Sequence, residues 1–126
     1  MMTTLKEEHL KNGLQIVFVD ESNRYFGDYH RICVLVTIIF NLSDLTIENA
    51  DDETFQSRAI EVIGEKLLIT KRIERMGVAS VDVAQVRDDM IESFLQHSSS
   101  YLARSGYPRS LVAAELNKPR THRFYG

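Results

Sequence analysis

Two stretches near the start of the chain set its hydrophobic pattern. Residues 14–22 read LQIVFVDES, a β-branched and aromatic run preceded by Asn12-Gly13, and residues 29–40 read YHRICVLVTIIF. Both are predicted strands. Asn23, Gly27 and Asp28 between them supply turn chemistry, so the pair is expected to form a β-hairpin with a loop of about six residues. Side chains alternate between the two faces of a strand. Ile16 and Phe18 therefore point one way, and Val17 and Val19 the other. In the second strand Ile32, Val34, Val36, Ile38 and Phe40 share a face, with Cys33, Leu35 and Ile39 opposite. A hairpin that is apolar on both faces calls for cover on both.

From Asp51 the period lengthens. Phe55, Ala59 and Ile63 recur every fourth residue, on one side of a short helix that Asp51 or Asp52 can cap and Gly64 can end. The segment 65–76 then alternates Leu67, Ile69 and Ile73 against Lys66, Thr70, Arg72 and Glu74, which predicts a third strand, apolar mainly on one face and broken at Met76-Gly77-Val78. Asp82 and Gln85 have the spacing of a capping box for a longer helix. Its stripe is Val83, Val86, Met90, Phe94 and Tyr101, widened by Ile91, Leu95 and Leu102. Gly106 and Pro108 interrupt the helix, and residues 111–116 form a short apolar piece of unassigned type.

These elements predict an α+β fold: a small, mostly antiparallel sheet of three or four strands, in the order strand-strand-helix-strand-helix, with a long C-terminal helix packed on one face. Residues 1–116 read as a single domain and 117–126 as a basic C-terminal tail. Composition agrees with one ordinary globular unit, at 126 residues, 44% hydrophobic and 26% charged. The formal net charge of −3 gives no overall attraction to nucleic acid or to an anionic membrane. No run approaches the roughly 20 apolar residues of a membrane helix, and residues 1–12 are too polar for a secretory leader, so a cytoplasmic protein without a membrane partner is expected. Cys33 has no cysteine to pair with in this sequence. Inside an apolar run it is expected to be a buried structural thiol.

Phosphate-loop, dinucleotide, paired-cysteine, HExxH and nucleophile-elbow patterns are all absent, and no cofactor or metal is implied. The densest local chemistry is in the hairpin loop, where Arg24, Tyr25, Asp28, Tyr29, His30 and Arg31 form a candidate ligand-binding set. Asp28 can orient His30 as a general base, with Arg24 or Arg31 steadying an anionic substrate. The plainer reading gives Gly27 and Asp28 to the turn and His30 to the start of a strand. A second set is the C-terminal mixture of cations and aromatics. Lys118, Arg120, Arg123 and Tyr125 are candidates for contact with a partner or with single-stranded nucleic acid, which needs both charge and stacking surfaces. Against nucleic acid stands the acidic remainder, including Asp44, Glu48, Asp51, Asp52 and Glu53, onto which the basic segment can equally fold. Asp88, Asp89 and Glu92 read as a solvated helix face.

The chain resembles a family of short bacterial proteins of unassigned function. The resemblance lies in Asn12-Gly13-Leu14 before the first strand, Gly27-Asp28 before the second, Gly64-Glu65 and Glu74-Arg75 bounding the third, and Glu92-Ser93-Phe94-Leu95 in the long helix. It implies a small α+β domain of the bacterial cytoplasm and carries no activity to any residue. From the residues themselves, the leading expectation is a noncatalytic module that pairs with itself as a homodimer, because one long helix covers only one face of a hairpin apolar on both.

Overall fold

The computed structural model describes residues 3–118, apart from the side chains of Tyr25 and Phe26. The elements follow as β1 (Thr3–His9), β2 (Gln15–Asp20), β3 (Asn23–Phe26), β4 (Tyr29–Asn41), α1 (Ala50–Ile63), β5 (Lys66–Ala79), α2 (Val83–Leu102) and α3 (Tyr107–Leu116). The α+β class stands, with an antiparallel sheet of five strands where three or four were expected.

β4 is the axis of the sheet. Along one side it pairs with β2 over Val34–Ile39 and with β3 over Tyr29–Arg31, and along the other it pairs with β5 from end to end. β1 lies outside β2. The expected hairpin is therefore present, but its loop is not a loop. β2 and β3 run in succession down the same side of β4, and only Gly27-Asp28 separates β3 from β4. Ser22 bridges the interval between β2 and β3: Cys33 N donates to Ser22 Oγ at 2.9 Å, and Glu21 N donates to Cys33 O at 2.8 Å. A side-chain hydroxyl thus stands in for a backbone acceptor where the strand bends.

Other expectations are corrected locally. Asn49, not Asp51 or Asp52, caps α1 by accepting from Asp52 N at 3.0 Å. The pairing of Asp82 with Gln85 does not form, since Gln85 Nε2 donates instead to Asp89 Oδ1 at 2.8 Å. Gly77 does not end β5. It sits at φ 71° in the register shift between the pairs Ile32–Arg75 and His30–Val78, so the extra residue is absorbed as a bulge and the strand continues to Ala79. The long helix is not the last element, because the short apolar piece becomes α3, with Pro108 near its start.

All three helices pack on one side of the sheet. Phe55, Ala59 and Ile63 of α1, Met90, Ile91, Phe94 and Leu102 of α2 and Val112 of α3 join Ile16, Phe18, Val34, Val36, Ile38 and Phe40 in a single core. Phe18 and Phe94 meet edge to face at 5.8 Å, fixing α2 over β2. Two polar ties set the same helix. Asn12 Nδ2 donates to Leu102 O at 2.6 Å and Arg104 O at 2.8 Å, satisfying carbonyls at the end of α2. At the other end of the contact, Arg87 Nη1 donates to Asp20 Oδ2 at 3.0 Å.

Burial pushes the Asp20 carboxyl up, but hydrogen bonds from Ser22 and the Arg87 charge outweigh it, so the group titrates below its usual range. Its stabilising contribution is present above the unfolded carboxylate value of about 3.9 and disappears as pH falls through the lower folded value. We expect Asp20→Asn to cost about 1–3 kcal/mol at neutral pH, since Arg87 is left without its anion. The variant should also lose less stability than the wild type as acid is added below about pH 5. Urea denaturation across pH reads both effects.

Candidate interaction surface

The ladders that commit the large side chains to the core also define what lies on the sheet's other face. Reading across it, Gln15, Ile39 and Leu68 form one row, Val17, Thr37 and Thr70 the next, Val19, Leu35 and Arg72 the third, and Cys33 with Glu74 the fourth. β1 adds His9 beside Gln15 and Glu7 beside Val17. Val17, Val19, Leu35 and Ile39 are partly buried by their own neighbours, Leu68 is 61% exposed, and none of them belongs to the core. Among the described residues no helix side chain reaches this face into a second cluster.

One end of the face is closed by charge. Glu21 and Arg72 approach to 3.6 Å, Arg72 and Glu74 to 4.0 Å, and Arg31 Nε donates to Glu74 at 3.1 Å while its Nη1 donates to Asn23 Oδ1 at 3.2 Å. The hydrogen bond to Arg31 holds the Glu74 carboxyl below its ordinary range and raises the guanidinium in turn. Exposed pairs of this kind add little stability. The chain of charges crosses the rows of Leu35 and Cys33, and Cys33, on the helix-free face, is 0% exposed. The expected buried thiol is found, on the face that no helix of the described residues covers.

The candidate loop residues other than Asp28 divide between β3 and β4, where Arg24 lies directly across from His30. Ser80 Oγ lies 3.3 Å from Asp28 O, to which it can donate, and 2.8 Å from His30 Nε2, where the direction of the bond follows the imidazole tautomer. Among the described residues no hydrogen bond joins the Asp28 carboxylate to His30. Arg24 is exposed, Tyr29 is half exposed, Arg31 is engaged by Glu74 and Asn23, and the side chain of Tyr25 lies outside the description. In the second set, Lys118 pairs with Glu115 at 3.0 Å, and Arg120, Arg123 and Tyr125 lie outside the described residues.

Sequence reasoning missed a cleft of about 350 Å³ beside the start of α3, lined by Asn12, Phe40, Asp44, Leu45, Asp52 and Arg109 among others. Arg109 of α3 bonds Asp52 at 2.9 Å and stacks 4.1 Å over the Phe55 ring, so a cation outside the 117–126 tail meets the acidic segment. No three metal-ligating groups converge there or elsewhere among the described residues. Comparison with protein-family models, curated proteins and solved structures returned no match.

If the charged chain shields Cys33, the native thiol should resist a soluble disulfide reagent until the protein unfolds. Arg72→Ala and Glu74→Ala should each speed its modification well beyond any change in global stability. Equal rates in variants and wild type would show that backbone packing alone protects the sulfur.

Proposed function

We propose that this chain is a noncatalytic interaction module that associates with a second copy of itself through the helix-free face of the sheet. The observation that carries the reading is the row pattern of that face: Val17, Val19, Leu35, Ile39 and Leu68 share it while every helix spends its apolar stripe on the other side. A residual apolar face of this kind marks interaction surfaces more often than idle surface.

Size and charge support a like partner. With strands about 4.8 Å apart and residues rising about 3.3 Å, the face spans roughly 500 Å² per copy, and two stacked copies bury about 1,000 Å², the lower bound for a specific interface. Stacking two twisted sheets face to face is also a standard way to dry two apolar surfaces at once. The flanks differ in sign, with Glu7 on the β1 side and Lys66 and Arg72 on the β5 side. A two-fold axis running along the strands lays each β1 over the partner's β5, so opposite charges meet at both rims.

The expected outcome in light scattering behind a sizing column is twice 14.5 kDa at high micromolar concentration. Leu68→Asp replaces a side chain already 61% exposed, so it should leave folding intact and return the mass to 14.5 kDa. A wild-type monomer at that concentration would remove the reading.

A further inference from the structure

The sheet has a second unspent surface, at right angles to the first. β5 pairs with β4 along its whole length and, among the described residues, with no other strand, so its outer edge presents backbone N–H and C=O groups without ladder partners. Along that edge runs a groove of about 380 Å³ between β5 and α2, walled by Ile73, Glu74 and Arg75 on the strand and by Asp89, Met90, Ser93 and Phe94 on the helix. An exposed strand edge beside a helix, with a partly apolar floor between them, is the arrangement that accepts an extended peptide as an added strand.

The register specifies the chemistry of the peptide. On the helix side β5 displays Ile69, Lys71, Ile73 and Arg75 in succession, since their partners on β4 include the core residues Ile38, Val36, Val34 and Ile32. Ile73 reaches the groove with Met90 and Phe94, while Lys71 and Arg75 flank it two residues away on each side. The other face of the strand contributes Arg72 and Lys66 against Glu74, which is already held by Arg31. Asp89 on the helix wall is engaged by Gln85. The edge strand is therefore cationic overall, with Lys66, Lys71, Arg72 and Arg75 against Glu74, while Glu74 and Asp89 place two carboxylates on the groove walls.

We propose that the β5 edge binds an acidic, extended segment of a protein partner, of the pattern acid-x-apolar-x-acid. Its apolar side chain enters the groove over Ile73, Met90 and Phe94, and its two acids pair with Lys71 and Arg75. Backbone hydrogen bonds to β5 supply affinity, and the alternate side chains supply selection.

The test titrates the full chain with an end-capped, fluorescein-labelled Thr-Glu-Thr-Leu-Thr-Glu-Thr peptide and follows anisotropy. Saturable binding is expected, with the amide shifts it causes confined to β5 and the facing turns of α2. Lys71→Glu with Arg75→Glu should weaken it by about tenfold or more, as should replacing both glutamates of the peptide by lysine. Placing proline at the central threonines, which keeps the charges but removes strand donors, should weaken it equally. Absence of binding at about 1 mM, shifts lying elsewhere, or undiminished binding of the proline peptide would each overturn the proposal. Leu68→Asp, which lies on the other surface, should bind the peptide as the wild type does; loss of binding in that variant would also count against a separate edge site.

Discussion

Pairing on both sides of β4 governs this molecule. A strand hydrogen-bonded to β2 and β3 on one side and to β5 on the other cannot slip or rotate without breaking two ladders, so the direction of each of its side chains is fixed. Ile32, Val34, Val36, Ile38 and Phe40 are thereby committed to one face, where all are nearly or fully buried. The helices have only that face to follow. Phe94 against Phe18, Arg87 against Asp20 and Asn12 against the end of α2 each bind the long helix to the β2 side, leaving the β5 edge with a groove instead of a lid.

That commitment has a cost on the reverse side. Leu35, Ile39, Val17 and Val19 are β-branched or aliphatic because a central strand favours such residues, and they remain only partly buried. The protein treats the two ends of this face differently. Near Cys33 it draws Glu21, Arg72, Glu74 and Arg31 across the strands, and toward Leu68 it leaves the surface bare. The two long edge strands carry different defences: β1 has a bulge at Leu5 with Lys6, Glu7 and Glu8 beyond it, and β5 has its basic residues and the bulge at Gly77.

Much of this was legible in the residues, and the failures have physical causes. The β2–β4 pairing, the sidedness of each apolar residue and the stripe of α2 follow from strict periods in long segments, where side-chain direction leaves no freedom. β1 escaped notice because an edge strand facing solvent needs few apolar residues, and its bulge interrupts the alternation that remained. β3 is short, and Asn23 and Gly27 resemble turn chemistry whether or not the backbone pairs. Gly77 read as a breaker because a glycine that ends a strand and one that forms a bulge look alike until the partner strand is known. Asn12 was seen only as a prelude to a strand; its role at the far end of α2, ninety positions along the sequence, had no local signature. The groove and the cleft likewise arise from contacts between distant segments.

The two unspent surfaces differ in a way that bears on how they work together. The face is apolar and of mixed sign at its rims, so it is suited to its own image; the edge strand is cationic overall. They meet along β5, whose even and odd residues lie on opposite sides of the sheet: Leu68 and Thr70 look toward the face, and Lys71, Ile73 and Arg75 toward the helices. Because a strand's side chains point to opposite faces and its hydrogen-bonding edge lies perpendicular to both, occupation of one surface leaves the other sterically free. Arg72 and Glu74 are placed to feel both: each lies on the face and on the edge strand, Arg72 links Glu21 to Glu74 in the charged chain, and Glu74 also walls the groove. An acidic segment bound along β5 would compete with Glu21 and Glu74 for the Arg72 guanidinium, and those pairs, at 3.6 and 4.0 Å, are the longest contacts in the chain of charges.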